Sequence, residues 1–188
     1  MKAPSVREQL LEHALVLLRR RGFNGFSYRD LADLVGVKTS SIHYHFPTKE
    51  DLVLAAVTEY SNRVASELRA IDDTLPSTEQ ARRYLQSWRD SAHGDLICLA
   101  GMLSTEAMSL PEPVHRVLKD FYTMNEAWIR HLLEQSAAQR EQPLPLPPKA
   151  IAQAVFATLQ NGLVASRLFG TPERLDAADE LLMASVAP

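Results

Sequence analysis

The sequence predicts an all-α fold of about nine helices. Three observations carry that prediction. Apolar residues recur three and four positions apart through most of the chain. Ser or Thr followed three residues on by Glu or Asp marks helix starts at Ser5–Glu8, Ser27–Asp30 and Thr48–Asp51. Leucine and alanine are common, aromatics make up only 7% of residues, and no segment reads as a strand.

The first helix runs from about Val6 to Arg21, with Val6, Leu10, Ala14 and Leu17 on one face. Arg19 to Arg21 give it a cationic end, and Gly22 stops it. Ser27 with Asp30 begins a short second helix through Val35, and Gly36 permits a tight turn. A third helix follows from Lys38 or Thr39 to His45, closed by Pro47. Thr48 with Asp51 opens a long fourth helix to about Ile71, striped by Leu52, Ala56, Tyr60, Val64, Leu68 and Ile71. Ser77 and Gln80 cap a fifth, ended by Gly94. Asp95 to about Ser109 forms a sixth, and Pro111 or Pro113 starts a seventh that reaches Leu132. The run AAQREQPLPLPPK is a polar, proline-rich loop. Lys149 to Phe169 is an eighth helix stopped by Gly170. Thr171 caps a ninth, with Pro172 at its first position.

A chain of 188 residues holds one ordinary domain, or a small one joined to a larger one. No run of about 18 apolar residues exists, so no membrane span is expected. The N-terminal MKAPSVREQLLEHA lacks the apolar stretch of a secretory signal. A single cysteine, Cys98, excludes an internal disulfide and an all-cysteine metal site. A cytoplasmic protein is expected.

Net charge is −3, but it is unevenly spread. Residues 1–49 carry eight basic and four acidic side chains, a balance of +4, and the remainder carries −7. A positive quarter on a negative remainder suits a DNA-binding head, residues 1–50, on a body, residues 51–188, with another job.

The stretch from Phe26 to Leu52 carries the chemistry. A helix-turn-helix needs a small residue at the crossing, a turn residue tolerant of positive φ, and apolar positions that lock the angle. Ala32, Gly36 and the set Leu31, Val35, Val37 and Ile42 meet these needs. One face of the third helix is then free to enter a major groove. Lys38, Thr39, Ser40 and Ser41 are short or cationic hydrogen-bonders able to approach base edges, and Arg29 can donate to guanine or phosphate. Tyr28, His43, Tyr44 and His45 can flank the groove. Ser27 and Lys49, at helix starts, lie beside backbone N–H groups that attract phosphate. Ser27, Thr48 and Gly36 also have purely architectural uses, and Phe46 reads as core. The pair His43 and His45 is spaced two apart, which suits no joint metal ligation on a helix.

Ala32-Asp33-Leu34-Val35-Gly36-Val37, Ile42-His43-Tyr44-His45-Phe46 and Thr48-Lys49-Glu50-Asp51-Leu52 together resemble the TetR family of bacterial one-component regulators. The resemblance covers about Val6 to Leu54. Members often have tyrosine where His43 stands, so here that phosphate contact would depend on pH. The resemblance implies a dimer made by the last two helices and an effector pocket among helices five to seven.

The body's residues allow both. Val155, Leu159, Gly162, Leu163 and Ser166 lie among small side chains on the eighth helix and suit close helix approach; intrachain packing is the alternative. A dimer also fits a single recognition helix that reads only a half-site, the second half-site lying about 34 Å away. Trp88, Met102, Phe121 and Trp128, with Glu106 and Asn125, are the expected pocket residues. Cys98 opens a run, Cys98-Leu99-Ala100-Gly101-Met102-Leu103-Ser104-Thr105-Glu106, similar to a TetR subgroup that includes the repressor of N-ethylmaleimide reductase. That implies an electrophile-sensing thiol; an inert buried thiol is the competing reading.

The expected function is transcriptional repression: binding of a palindromic double-stranded DNA operator, released when an unknown small-molecule effector occupies the body of the homodimer. The resemblance implies that the fourth helix then swings the heads out of register. No catalytic constellation, metal site or cofactor is expected. There is no Ser-His-Asp pattern or glycine-rich phosphate loop, and the histidines at 13, 43, 45, 93, 115 and 131 are scattered. A protein-interaction adaptor that kept the fold without DNA binding is the rival from another class.

Overall fold

The structure, a computed structural model, describes residues 3–92, 96–138, 140 and 143–187. The described residues form α1 (Val6–Arg21), α2 (Tyr28–Val35), α3 (Thr39–His45), α4 (Lys49–Ala70), α5 (Ser77–Ser91), α6 (Leu99–Ser104), α7 (Glu112–Ala137), α8 (Pro148–Phe169) and α9 (Asp176–Val186). Short 3-10 turns at Ala107–Ser109 and Pro172–Leu175 complete the set, and no strand occurs among the described residues. None of the described helices is long and apolar enough to cross a membrane.

The three capping boxes form as the sequence predicts. Ser5 and Glu8, Ser27 and Asp30, and Thr48 and Asp51 exchange backbone and side-chain hydrogen bonds. Four expectations differ. Ser77 and Gln80 do not cap α5; the Gln80 amide instead donates to the carbonyls of Asp73 and Leu75, bracing the preceding turn. The predicted Asp95–Ser109 helix is broken. Only Leu99–Ser104 is α-helical, with Cys98 as its N-cap. The Ser104 and Thr105 hydroxyls turn back onto the carbonyls of Ala100 and Met102, competing with the helical ladder. α7 continues past Leu132 to Ala137, because Leu133 and Ser136 keep its buried face going. Thr171 and Pro172 begin a 3-10 turn, and α9 proper starts at Asp176. Gly94 and Asp95, expected to end the fifth helix and start the sixth, lie outside the described residues.

The chain divides into two compact units, Met1–Arg63 with Cys98–Asp120 and Val64–Ile97 with Phe121–Pro188. In the first, Leu10, Ala14 and Leu18 of α1 are buried with Leu31, Ile42, Leu52, Ala56, Leu99 and Leu103. In the second, Ile129, Leu133, Ile151, Val155, Leu159, Ala178 and Leu182 form the core. Arg89 of α5 also donates to Asp176 and Asp179 of α9 there, which raises its pKa above the usual guanidinium value, chiefly through the bond to Asp176.

In the first unit the loop after α1 is fastened by a residue 83 positions away. Glu106 accepts the backbone N–H of Phe23 and, at 3.2 Å, that of Asn24; the Asn24 side chain adds a bond at 3.1 Å. Gly22 makes this possible. It adopts φ +75°, and a Cβ there would collide with the Glu106 carboxylate. Gly22→Ala should therefore lower stability by about 1–3 kcal/mol, read as a fall in the urea midpoint at constant slope. Adding Glu106→Ala should relieve the collision and leave the cost of the left-handed backbone.

Candidate nucleic-acid interface

The helix-turn-helix is locked from inside. Leu31 and Ile42 are fully buried, and Ala32 and Phe46 nearly so. Gly36, at φ +76° and ψ +32°, turns the chain; its N–H and that of Val37 both donate to the Ala32 carbonyl. Arg7 of α1 lies 5.2 Å over the Phe46 ring. With its inner side fixed, α3 leaves its other residues at the surface.

The sequence-predicted residues fall into two groups. Arg29, Lys38, Thr39, Ser40, His43 and Tyr44 are exposed, Tyr44 at 84%; Ser41 and His45 are half-buried, and the His45 ring meets Tyr44 edge-on at 5.0 Å. These present cationic, hydroxyl and aromatic donors around one short helix.

The second group is occupied within the protein. The Ser27 N–H and Oγ both donate to Asp30, and Oγ accepts the Asp30 N–H, so this side chain is consumed by capping. The same bonds, the Ser27 hydroxyl first, hold the Asp30 carboxyl below its ordinary value. Tyr28, half-buried, aims its hydroxyl at the carbonyls of Phe46 and Thr48, tying the start of α2 to the turn between α3 and α4. Burial, then the charges of Asp51 and Glu50, push its pKa up to about 12, so the phenol stays a donor. The Lys49 ammonium donates to the Phe26 carbonyl and lies 4.3 Å and 5.0 Å over the rings of Phe26 and Phe23. Desolvation lowers its pKa, while Glu106, Glu50 and Asp30 oppose the shift. Tyr28 and Lys49 are thus struts that position the reading helix.

His43 is intermediate. Its Nδ1 lies 3.1 Å from the Pro47 carbonyl, and its ring meets Tyr28 edge-on at 4.9 Å. A carbonyl only accepts, so Nδ1 carries the hydrogen and Nε2 becomes a donor only in the imidazolium form.

Leu34, assigned no separate role from sequence, stands at the surface near these residues in the chain. It is 53% exposed on α2 beside the Gly36 turn. The available signal was its place between the buried Leu31 and the Val35 position, off the apolar stripe.

The expected pocket residues divide between the units. Glu106 of the first is engaged by the α1–α2 loop, and Met102 is half-buried. Cys98 is 2% exposed and accepts a hydrogen bond from the Tyr60 hydroxyl at 3.6 Å, an enclosed thiol of the kind that packs as a small hydrophobe. Burial, then Cys98, raises the Tyr60 pKa. His93 and Asp95, the ionisable groups expected near this thiol, lie outside the described residues. In the second unit, Trp88, Phe121, Asn125 and Trp128 are brought together but packed. Tyr84 stacks on Trp128 at 4.8 Å, and Trp88 meets Phe156 edge-on at 5.7 Å. Asn125 is fully buried between the Phe121 carbonyl and the Tyr84 hydroxyl. The space left beside Tyr84, Trp88 and Asn125 is about 80 Å³, below the range of drug-sized pockets.

Most of the residues expected at a dimer interface are engaged within the second unit. Val155, Leu159 and Leu163 are buried inside the second unit, and a Cβ on Gly162 would press on Leu175 and the Arg174 carbonyl. They are apolar because α8 packs on the following turn and α9, and Ser166 is half-buried beside them. The exposed apolar residues of α8 are Val164, Leu168 and Phe169.

Tyr28→Phe should cost about 1 kcal/mol through the lost hydroxyl bonds while leaving the helical content unchanged, measured by chemical denaturation and far-ultraviolet dichroism.

A family model described as bacterial regulatory proteins, tetR family, matches residues 10–56. The chain is 26% identical over 147 residues to the probable HTH-type transcriptional regulator YttP of Bacillus subtilis, covering 76% of this chain and 70% of that protein. It spans 40% and 36% of two further curated regulators that it matches. A TetR transcriptional regulator from Legionella pneumophila superposes with a TM-score of 0.89 at 26% identity, over 100% of both chains. The reduced form of E. coli NemR, at 20% identity and a TM-score of 0.80 over 97% of this chain and 98% of that one, shows the fold alone. The locked α2–α3 crossing lies within the matched segment, and the fold continues beyond it over the whole length of a known regulator: this chain carries a tetR-family helix-turn-helix segment on a fold that it shares with TetR transcriptional regulators.

Proposed function

We propose that this regulator is a cytoplasmic repressor that binds a palindromic operator as a homodimer and releases it when a small molecule occupies the body. Residues 1–50 read DNA, and residues 51–188 bind the effector and the second copy. The observation that carries the reading is the exposure of Arg29, Lys38, Thr39, Ser40 and Tyr44 around a short helix whose opposite side, Ile42 and Phe46, is fixed. Thr39, Ser40 and Ser41 reach base edges, Lys38 and Arg29 neutralise phosphate, and Leu34 offers an apolar contact to a thymine methyl.

The dimer face is the exposed strip of α8 and α9: Ala154, Ala157, Val164 and Leu168 with Ala177, Leu181 and Ala184. Small side chains permit close approach, and Leu168, 81% exposed, supplies apolar area. Two copies joined there present two recognition helices to half-sites about 34 Å apart. The effector acts by binding more tightly to a conformation in which the two helices no longer meet successive grooves.

Retardation of the protein's own promoter DNA at low salt tests the function. Binding should weaken steeply with added salt, because the contacts to phosphate release counterions. Absence of any salt-sensitive complex would instead favour an adaptor that lost DNA binding. A separate variant, Leu168→Glu with Val164→Glu, should be monomeric by sedimentation with its helical content retained, since both side chains are at the surface of the single chain.

A further inference from the structure

The second unit holds a cleft of about 560 Å³, within the range of small-molecule sites. Its walls are the end of α4 and the turn after it, with Arg69, Asp72 and Asp73, then Gln80 of α5 and Met124 and Trp128 of α7. This is space apart from the packed cluster of Trp88, Phe121 and Asn125.

The polar groups of the cleft are biased toward acceptors. Gln80 is only 6% exposed, and its Nε2 donates to the carbonyls of Asp73 at 3.2 Å and Leu75 at 2.8 Å. The amide orientation is thereby fixed. What remains is Oε1, an acceptor that takes no hydrogen bond among the described residues. That oxygen is not sealed inside the protein, so it is open to a donor in the cleft. Asp73 lines the same cleft with an exposed carboxylate that has no ion pair among the described residues. Asp72 accepts the Thr74 N–H and hydroxyl; these bonds, the hydroxyl first, hold its carboxyl below the ordinary value and keep it an anion. The last turn of the 22-residue α4 adds the negative end of its dipole.

Two groups could oppose this bias. Arg69 is turned back along α4, its Nη2 donating to Ser66 Oγ at 3.2 Å. His131 Nε2 lies 3.0 Å from Gln135 Nε2; an amide nitrogen only donates, so this ring nitrogen is the acceptor and is taken up within α7. Trp128 and Met124, both half-buried, supply a flat, polarisable apolar wall.

We propose that this cleft binds an organic cation carrying N–H donors on a flat apolar body, such as an amidine or a primary amine. The proposal rests on the reading that the body of the regulator senses a small molecule. Calorimetry of the full chain with 2-naphthamidine, 2-naphthamide and 2-naphthoate tests it, because the three share one apolar body and differ in charge and donors. The amidine should bind about tenfold more tightly than either of the others, and Asp73→Asn should remove most of that preference with the melting temperature unchanged. Equal or tighter binding of the naphthoate, no detectable binding of the amidine, or an Asp73→Asn protein that binds it as the wild type does would overturn the proposal. Operator retardation at saturating amidine is scored separately. Binding of the amidine supports the site whether or not the operator is released, and retention of the operator overturns only the effector reading.

Discussion

The DNA-reading head depends on how one short loop is held. The segment from Gly22 to Phe26 joins α1 to α2 and carries no regular hydrogen-bonding pattern of its own. Glu106 binds its N–H groups from one side, and Lys49 binds the Phe26 carbonyl from another. Buried or half-buried backbone donors and acceptors must be satisfied, and here charged side chains do it. Each charge is therefore an internal structural part. That changes the electrostatic reading of the head: Lys49 is a cation whose donor already has an acceptor, and the cations left at the surface near α3 are Arg29 and Lys38.

The division between struts and readers explains how a seven-residue helix can be a precise tool. α3 has too few hydrogen bonds to be stable alone. Ile42 and Phe46 anchor it in the core, Tyr28 braces the turn that follows it, and Gly36 sets the turn that precedes it. With the position set by these groups, short side chains such as Thr39 and Ser40 are presented at the surface of a fixed helix, and short side chains have little rotamer entropy to lose.

Local signals in the sequence were legible and distant ones were not. Ser5–Glu8, Ser27–Asp30 and Thr48–Asp51 are pairs three residues apart whose partners are each other, and the motif around Ala32 and Gly36 follows from steric demands within one turn. The role of Glu106 was hidden because the loop it fastens lies 83 residues earlier. Val155, Leu159 and Leu163 show the limit of an apolar stripe. Periodicity states that a face is covered and leaves open whether α9 or a second chain covers it, and here α9 and the turn before it do. Trp88, Phe121, Asn125 and Trp128 lie in one unit, and the side chains of Tyr84 and Phe156 pack against them where space was expected.

The placement of Glu106 has a consequence for how the protein is made. Synthesis proceeds from the N-terminus, so α1 to α3 leave the ribosome long before residue 106 exists. Until then the α1–α2 loop lacks its carboxylate partner, and the head is complete in sequence but unfinished in structure. An isolated fragment that stops at the end of the helix-turn-helix would stay in that unfinished condition. The nascent α1–α2 loop gains its carboxylate partner only after more than half of the chain has been translated.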